Sequence, residues 1–202
     1  TVENASDVFG DGTVWYDLEK GELVLDNANL TGINFDSDSA TDVSVIYGPN
    51  SLTIRLIGDN VLDASGYEPA HGNPIPVYNQ GLYISGDATF VGDGNLTAIA
   101  GYAVDEGSYG IYCGYLNIFG TGDYEFRGTE VADDGAESYG IYAYSGVTLS
   151  GTKYVENESH GVFAIGEDYA LYTDYGVNYD SSIYETYYAN ANDESAMEKD
   201  DD

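Results

Sequence analysis

Two identical five-residue segments constrain the fold of this chain more than any other feature of its sequence. The segment 108–112 reads Ser-Tyr-Gly-Ile-Tyr and recurs unchanged at 138–142, thirty residues later. Weaker copies lie at 45–47, 76–78 and 160–163. The aromatic residues that mark the copies are Tyr47, Tyr78, Tyr112, Tyr142 and Phe163. A recurring unit of this length is typical of proteins that stack one supersecondary unit on the next.

A second, alternating element follows each marker after a short gap. Its copies start at Leu52, Leu82, Leu116 and Val147, and each runs into a glycine. Two or three short strands in roughly thirty residues match one coil of a parallel β-solenoid. We therefore predict an all-β solenoid of about five to six coils. The alternative is an antiparallel β-sandwich, which also has many short strands but does not explain why they recur in the same order.

The domain organisation follows from where the repeat fades. We predict a single solenoid domain over residues 1–189, in which residues 1 to about 30 form an N-terminal cap, because the end units of solenoids need atypical covers. The tail 190–202 is polar, acidic and without period, so it is predicted to be disordered.

The alternation of the strands assigns some side chains to the interior. In the segment 52–56 it places Leu52, Ile54 and Leu56 inward. The first strand of each unit has two interpretations. If the aliphatic residue before each marker faces inward, the tyrosines form an outward column; in the opposite register, which Val43 and Val45 favour, the aromatic rings belong to the core.

The charge of the chain excludes several functions. There are 36 Asp and Glu against 5 Lys and Arg, for a net charge of −31. Binding to nucleic acid or to an anionic membrane needs clustered cations, so we expect neither. No apolar run reaches the ~20 residues that a membrane span requires, and we expect no membrane insertion. The chain begins at Thr1 instead of Met, which fits a secreted product from which a signal peptide, not visible here, was removed.

Several segments resemble a known group of repeat proteins. They are the Trp-Tyr-Asp at 15–17, the Leu-Thr-Ile-x-Leu-x-Gly-Asp-Asn at 52–60, and the Gly-Ile-Tyr and Leu-x-Ile-x-Gly repeats. Across roughly residues 13–155 the chain is similar to the repeat regions of secreted or surface proteins of anaerobic Firmicutes, some of them called carbohydrate-binding domain proteins. The resemblance implies a right-handed parallel β-helix, a bacterial cell-surface or secreted location and a carbohydrate ligand. It brings no catalytic residue.

Tyrosine is the residue type that fits such a ligand, because sugar rings stack on flat aromatic faces. An outward column at the spacing of solenoid coils would form a platform for a polysaccharide or cell-wall glycan. The predicted ligand-binding residues are Tyr47, Tyr78, Tyr112 and Tyr142. The alternative is that these rings only cover strand edges.

Acidic turns are candidates for Ca²⁺, which prefers six to eight oxygen ligands. The predicted metal ligands are Asp93, Asn95, Asp133 and Asp134. None of these turns has the spacing of an EF-hand, and solvated turn carboxylates are the alternative.

We predict no enzymatic activity. A polysaccharide lyase needs a Lys or Arg base beside its Ca²⁺ carboxylates, and the five cations form no such group. A hydrolase of the polygalacturonase type is echoed by Asp133-Asp134 and His160-Gly161, but its basic partner is missing. The leading hypothesis is a non-catalytic glycan-binding module; the alternatives are a stalk or adhesin segment that contacts other surface proteins and, last, a polysaccharide-degrading enzyme.

Overall fold

In the part of the chain that the structure describes, the strands follow one another without an intervening helix. The computed structural model describes residues 5–31, 42–66, 78–104, 107–129, 131, 137–150, 160–166, 168–179 and, for the backbone, 184–190. Within these ranges the chain is all-β, with sixteen strands and no helix. In chain order the strands are β1 (Val14–Asp17), β2 (Glu22–Asp26), β3 (Asn29–Thr31), β4 (Asp42–Gly48), β5 (Leu52–Ile57), β6 (Asp59–Asp63), β7 (Tyr78–Ile84), β8 (Ala88–Gly92), β9 (Asn95–Ile99), β10 (Gly107–Ile118), β11 (Tyr124–Arg127), β12 (Glu137–Leu149), β13 (His160–Gly166), β14 (Tyr169–Tyr172), β15 (Val177–Tyr179) and β16 (Tyr184–Asn190).

The strands of the described ranges pair side by side in three ladders. Ladder A contains β4, β7, the first half of β10, the first half of β12, and β14. Ladder B contains β2, β5, β8, the second halves of β10 and β12, and β15. Ladder C contains β3, β6, β9, β11, β13 and β16. From β4 onwards the chain visits the ladders in the constant order A, B, C.

Nearly all of these pairings are parallel. Within the described ranges the single antiparallel pairing joins β1 to β2, at the N-terminal edge of ladder B. The antiparallel sandwich is therefore the wrong alternative for these strands. The parallel ladders already include β2 and β3, so they begin inside the segment predicted as a cap.

The core lies between the ladders and is built from the inward positions of each. Ile54 and Leu56 are fully buried and Leu52 packs against them, which confirms the alternation predicted for 52–56. Ladder C adds aromatic rings, because Tyr124 and Phe126 are fully buried and pack against Phe90 of ladder B. Burial of such side chains stabilises the fold by roughly 1.5–3 kcal/mol each.

Buried amide groups tie successive turns together between ladders B and C. The side chain of Asn60 donates to the carbonyl oxygens of Ile57, Gly58 and Asn95, and its oxygen accepts the N–H of Ala28 at 3.0 Å. The side chain is 2% exposed, so these bonds replace water that it would otherwise need. One asparagine thus links three consecutive passes of the chain.

A close approach of two ladders requires a glycine in ladder A. A Cβ on Gly110 would lie 2.6 Å from the carbonyl oxygen of Gly140 and 2.7 Å from the carbonyl carbon of Phe126, in ladder C. Gly110 therefore faces the interior, and the next residue, Ile111, is fully buried as well. Two consecutive inward residues break the alternation of the strand. As a result, the side chains before and after them, Tyr109 and Tyr112, both face outward.

We expect Gly110→Ala to lower the free energy of unfolding by about 1–3 kcal/mol, the usual cost of forcing an extra carbon into a packed site. The measurement is urea unfolding followed by circular dichroism. Gly66→Ala is the matched control, because a Cβ there meets nothing within 4 Å. Equal stability of the two variants would contradict the close approach.

Candidate functional site

A column of stacked tyrosine rings, half-buried in its interior and exposed at both ends, runs along ladder A. The hydrogen-bond register aligns five tyrosines, and each ring stacks on the next with centroids 4.6–5.3 Å apart and planes within 3–12°. This spacing follows from the ~4.8 Å separation of neighbouring strands. The members of this first column are Tyr47, Tyr83, Tyr112, Tyr142 and Tyr172.

Three of the four predicted column residues lie in the first column, and Tyr78 does not. Tyr78 aligns with Asp42 and Gly107, while Tyr83 aligns with Tyr47 and Tyr112. The prediction matched Pro-Val-Tyr at 76–78 to the repeat and assigned 82–85 to the second element. The register makes Ala88 the equivalent of Leu52. The Gly-Leu-Tyr triplet at 81–83, which parallels Gly-Ile-Tyr at 110–112, is the signal that would have placed Tyr83 correctly.

A second column of tyrosines lies beside the first. Tyr109 stacks on Tyr139 at 5.7 Å, Tyr139 stacks on Tyr169 at 5.1 Å, and Tyr78 stacks on Tyr109 at 6.3 Å. Alternation alone would put Tyr109 and Tyr112 on opposite faces. Because Gly110 and Ile111 are both inward, the rings of Tyr109 and Tyr112 instead meet edge to face, with centroids 5.5 Å apart.

The two columns interlock through edge-to-face contacts. Tyr142 meets Tyr109 at 5.5 Å and 77°, and it meets Tyr139 at 5.2 Å and 85°. Such contacts are the preferred arrangement of aromatic quadrupoles and stabilise a pair by ~0.5–1.5 kcal/mol beyond area burial. The rings are consequently held in fixed positions, which favours their use as a rigid surface.

The second column ends where smaller side chains take the place of tyrosine. Gln80 and Ser44 occupy the register position of Tyr109 in the two preceding strands. Both are buried, and the Ser44 hydroxyl donates to Gln80 Oε1 at 2.6 Å. A groove of about 510 Å³ is lined by these two smaller side chains together with rings of both columns. We call it the tyrosine groove; its lining residues are Asp42, Ser44, Tyr47, Tyr78, Gln80, Tyr83, Tyr109, Tyr112, Glu137 and Tyr142.

Gly107 determines where the ring of Tyr109 lies in the groove. A Cβ on Gly107 would clash with the phenol group of Tyr109, so the ring lies back across the Gly107 backbone. Gly107 aligns with Tyr78 on one side and Glu137 on the other. In this position the ring of Tyr109 lines the groove.

The polar groups of the groove lie at its rim and its floor. Asp42 and Glu137 are exposed acceptors, and Gln80 and Ser44 are buried beneath the rings. Glu137 accepts the hydroxyl of Tyr139 in a short hydrogen bond. The groove therefore combines aromatic faces with several hydrogen-bonding groups, the composition that is typical of small-molecule sites.

The described Lys and Arg side chains lie outside the groove and pair with carboxylates. The Arg55 guanidinium binds Glu22 through two hydrogen bonds of 2.7 and 3.1 Å. Arg127 pairs with Glu125, and Lys20 pairs with Asp17. Among the described residues that line the tyrosine groove, none is Lys, Arg or His.

Two of the four predicted metal ligands lie in the described part of the chain. Asp93 is exposed in the turn between β8 and β9, and Asn95 is exposed at the first position of β9. The Asn95 amide donates to Asp59 Oδ1 at 2.7 Å, and its oxygen accepts the N–H of Asp123 at 2.8 Å. Asp133 and Asp134 lie outside the described residues. Within the described ranges no three His, Cys, Asp or Glu side chains form a group that could hold a metal ion, and Ca²⁺ binding stays a prediction.

No protein family, curated protein or solved structure was found to match this chain. In the part of the chain that the structure describes, no helix is long and apolar enough to cross a membrane.

Alkaline pH is expected to destabilise the protein through the tyrosine columns. Burial raises the pKa of Tyr109 and Tyr139 above the value of about 10 for a free phenol, and burial also raises the pKa of Tyr112. The folded state thus keeps protons that the unfolded state releases, so stability is complete below about pH 10 and falls as the pH rises further. The melting temperature should fall as the pH rises above about 10, and it should fall less steeply in the variant Tyr109→Phe.

The control for the alkaline experiment is Tyr175→Phe, on a ring that is 82% exposed and belongs to neither column. It should leave the slope of melting temperature against pH unchanged. An equally steep decline in Tyr109→Phe and the wild type would contradict a contribution from this phenol.

The calcium prediction has its own test. A specific site stabilises the folded state by mass action, so Ca²⁺ should raise the melting temperature more than Na⁺ does at matched ionic strength. Equal shifts from the two salts would contradict a specific site and indicate screening of the −31 charge.

Proposed function

We propose that this protein is a non-catalytic glycan-binding module and that the tyrosine groove holds the sugar rings. The observation that carries the proposal is the groove itself, in which fixed tyrosine rings, with the exposed face of Tyr47 at the end of the first column, lie beside buried and exposed hydrogen-bonding groups. A pyranose ring needs both, because its C–H faces pack on aromatic rings while its hydroxyls need polar partners. A volume of about 510 Å³ is within the usual range for sites that bind small molecules.

The first column suits a polymer better than a single sugar. Tyr47 is 64% exposed at one end, and the column continues past the groove to Tyr172. A chain of sugars seated in the groove would meet one further ring of this column, Tyr172, beyond one end of the groove. The ligand of this proposal is accordingly a polysaccharide or cell-wall glycan.

The arrangement of the ladders is part of the proposal. Ladders A, B and C are taken as the three faces of a parallel β-solenoid of about five coils, since the chain passes through them in constant order. Parallel connections are right-handed in nearly all proteins, so the solenoid is proposed to be right-handed. A rigid, elongated surface of this kind would serve outside the cell or on a bacterial surface, where the resemblance of the repeats also points.

Gln80→Tyr tests the proposal by placing a bulky ring in the groove. The new side chain is the one that Tyr109 presents at the same register position of the neighbouring strand. We expect the variant to fold, because Tyr109 and Tyr139 occupy this position in the neighbouring strands. In affinity electrophoresis, the polysaccharides of a test panel that slow the wild-type protein should no longer slow this variant. Tyr83→Ala, which removes the ring that supports Tyr47 in the column, should weaken binding about tenfold, or roughly 1.4 kcal/mol.

Tyr175→Ala is the control, because it removes an exposed tyrosine outside the groove. Circular dichroism establishes that each variant is folded. If Gln80→Tyr and Tyr83→Ala are retained as strongly as Tyr175→Ala, the groove is not the glycan site and the proposal is wrong.

A further inference from the structure

We infer that the tyrosine groove selects glycans that carry protonated amino groups, such as polymers of de-N-acetylated hexosamine, over neutral and acidic glycans. The inference rests on the proposed function and names the ligand class of the same site. It is carried by the charges and aromatic faces that line the groove, taken together with where the cations of the chain lie.

The rim of the groove carries negative charges that no described Lys or Arg offsets. Asp42 and Glu137 are both exposed and line it. Neither pairs with Lys or Arg among the described residues, whereas Glu22, Glu125 and Asp17 each do. The two residues share a register position three strands apart, roughly 14 Å, so an ammonium group in the groove would meet one carboxylate that the protein itself leaves without a counter-charge.

The sequence before the strands of ladder A adds no Lys or Arg. The segments 32–41, 67–77, 105–106 and 130–136 precede β4, β7, β10 and β12 in the chain, and none of them contains either residue. The whole chain carries −31. A ligand with carboxylates would approach against this potential, and a cationic ligand would be attracted by it.

The aromatic rings add an attraction that is specific for cations. An ammonium group placed over the face of a tyrosine is attracted by the ring quadrupole. Tyr83 is stacked between Tyr47 and Tyr112, whereas Tyr47 ends the column: one described ring stacks on it, it is 64% exposed, and it lines the groove. An oligosaccharide with free amino groups can lay one ring on the exposed face of Tyr47 and direct an ammonium group towards Asp42 or Glu137. An N-acetylated sugar offers the same ring without the charge.

The experiment compares two oligosaccharides of one length, a β-1,4-linked glucosamine hexamer and its fully N-acetylated counterpart, with an oligogalacturonate as the acidic member. Isothermal titration calorimetry is run at a pH at which the sugar amine is protonated. We expect the amine oligomer to bind about tenfold more tightly than the acetylated one, and the acidic one not to bind. Added NaCl should reduce the difference in affinity between the amine and the acetylated oligomer, because salt screens exposed charges.

Two isosteric variants assign the preference to the groove. Asp42→Asn and Glu137→Gln should each reduce affinity for the amine oligomer while leaving the acetylated oligomer unchanged. Asp87→Asn is the matched control, since Asp87 is exposed and does not line the groove. An equal loss in Asp87→Asn would mean that the net charge alone attracts the amine, and would overturn the inference.

The remaining outcomes separate the inference from the function on which it rests. If the two hexamers bind the wild type equally and Gln80→Tyr abolishes both, the preference for amines is wrong and glycan binding stands. If neither hexamer binds and the polysaccharide panel gives no retention, both are wrong. The comparison of oligomers needs only the wild-type protein, so it decides the inference even if a variant fails to fold.

Discussion

Backbone hydrogen bonds between parallel strands determine where every other group in this protein lies. They hold equivalent residues of successive strands about 4.8 Å apart, so that a residue type repeated in the sequence becomes a column in space. The aliphatic positions become the core, with Ile111 beside Ile141, and the tyrosines become the stacked rings of the first column. Ring spacing of 4.6–5.3 Å is thus a consequence of the backbone, and the rings add their own stacking to it.

The candidate site arises where this regular arrangement is interrupted. If the second tyrosine column continued to β4, its rings would lie beside the first column along the whole length of that column. Ser44 and Gln80 stand at those positions instead, both buried, and the Ser44 hydroxyl donates a hydrogen bond to the Gln80 side-chain oxygen. The result is a groove whose walls are rigid because neighbouring rings interlock and whose floor is polar. Asp42 and Glu137 then give its rim a negative charge that no described cation offsets.

Much of the fold is predictable from the sequence because the repeat is strong where the strands are long. The identical segments at 108–112 and 138–142 do lie side by side in register, and Ile54 and Leu56 are buried as their alternation predicts. The alignment fails at Tyr78, because Leu-Tyr-Ile at 82–84 fits the pattern of either strand of the unit. Connections of unequal length also shift the spacing, and hydrogen-bond register, which is set by packing of whole strands, decides between the two assignments.

The sequence by itself determines the repeating unit, the aliphatic residues that face inward and the excess of acid, since each of these is a property of local pattern or composition. The position of the tyrosines was decided by the tertiary structure. Gly110 lies where the backbone of ladder A nearly touches ladder C, so Gly110 and Ile111 both face the interior. This contact between segments distant in sequence turns Tyr109 and Tyr112 to one side, and alternation along a single strand carries no information about it.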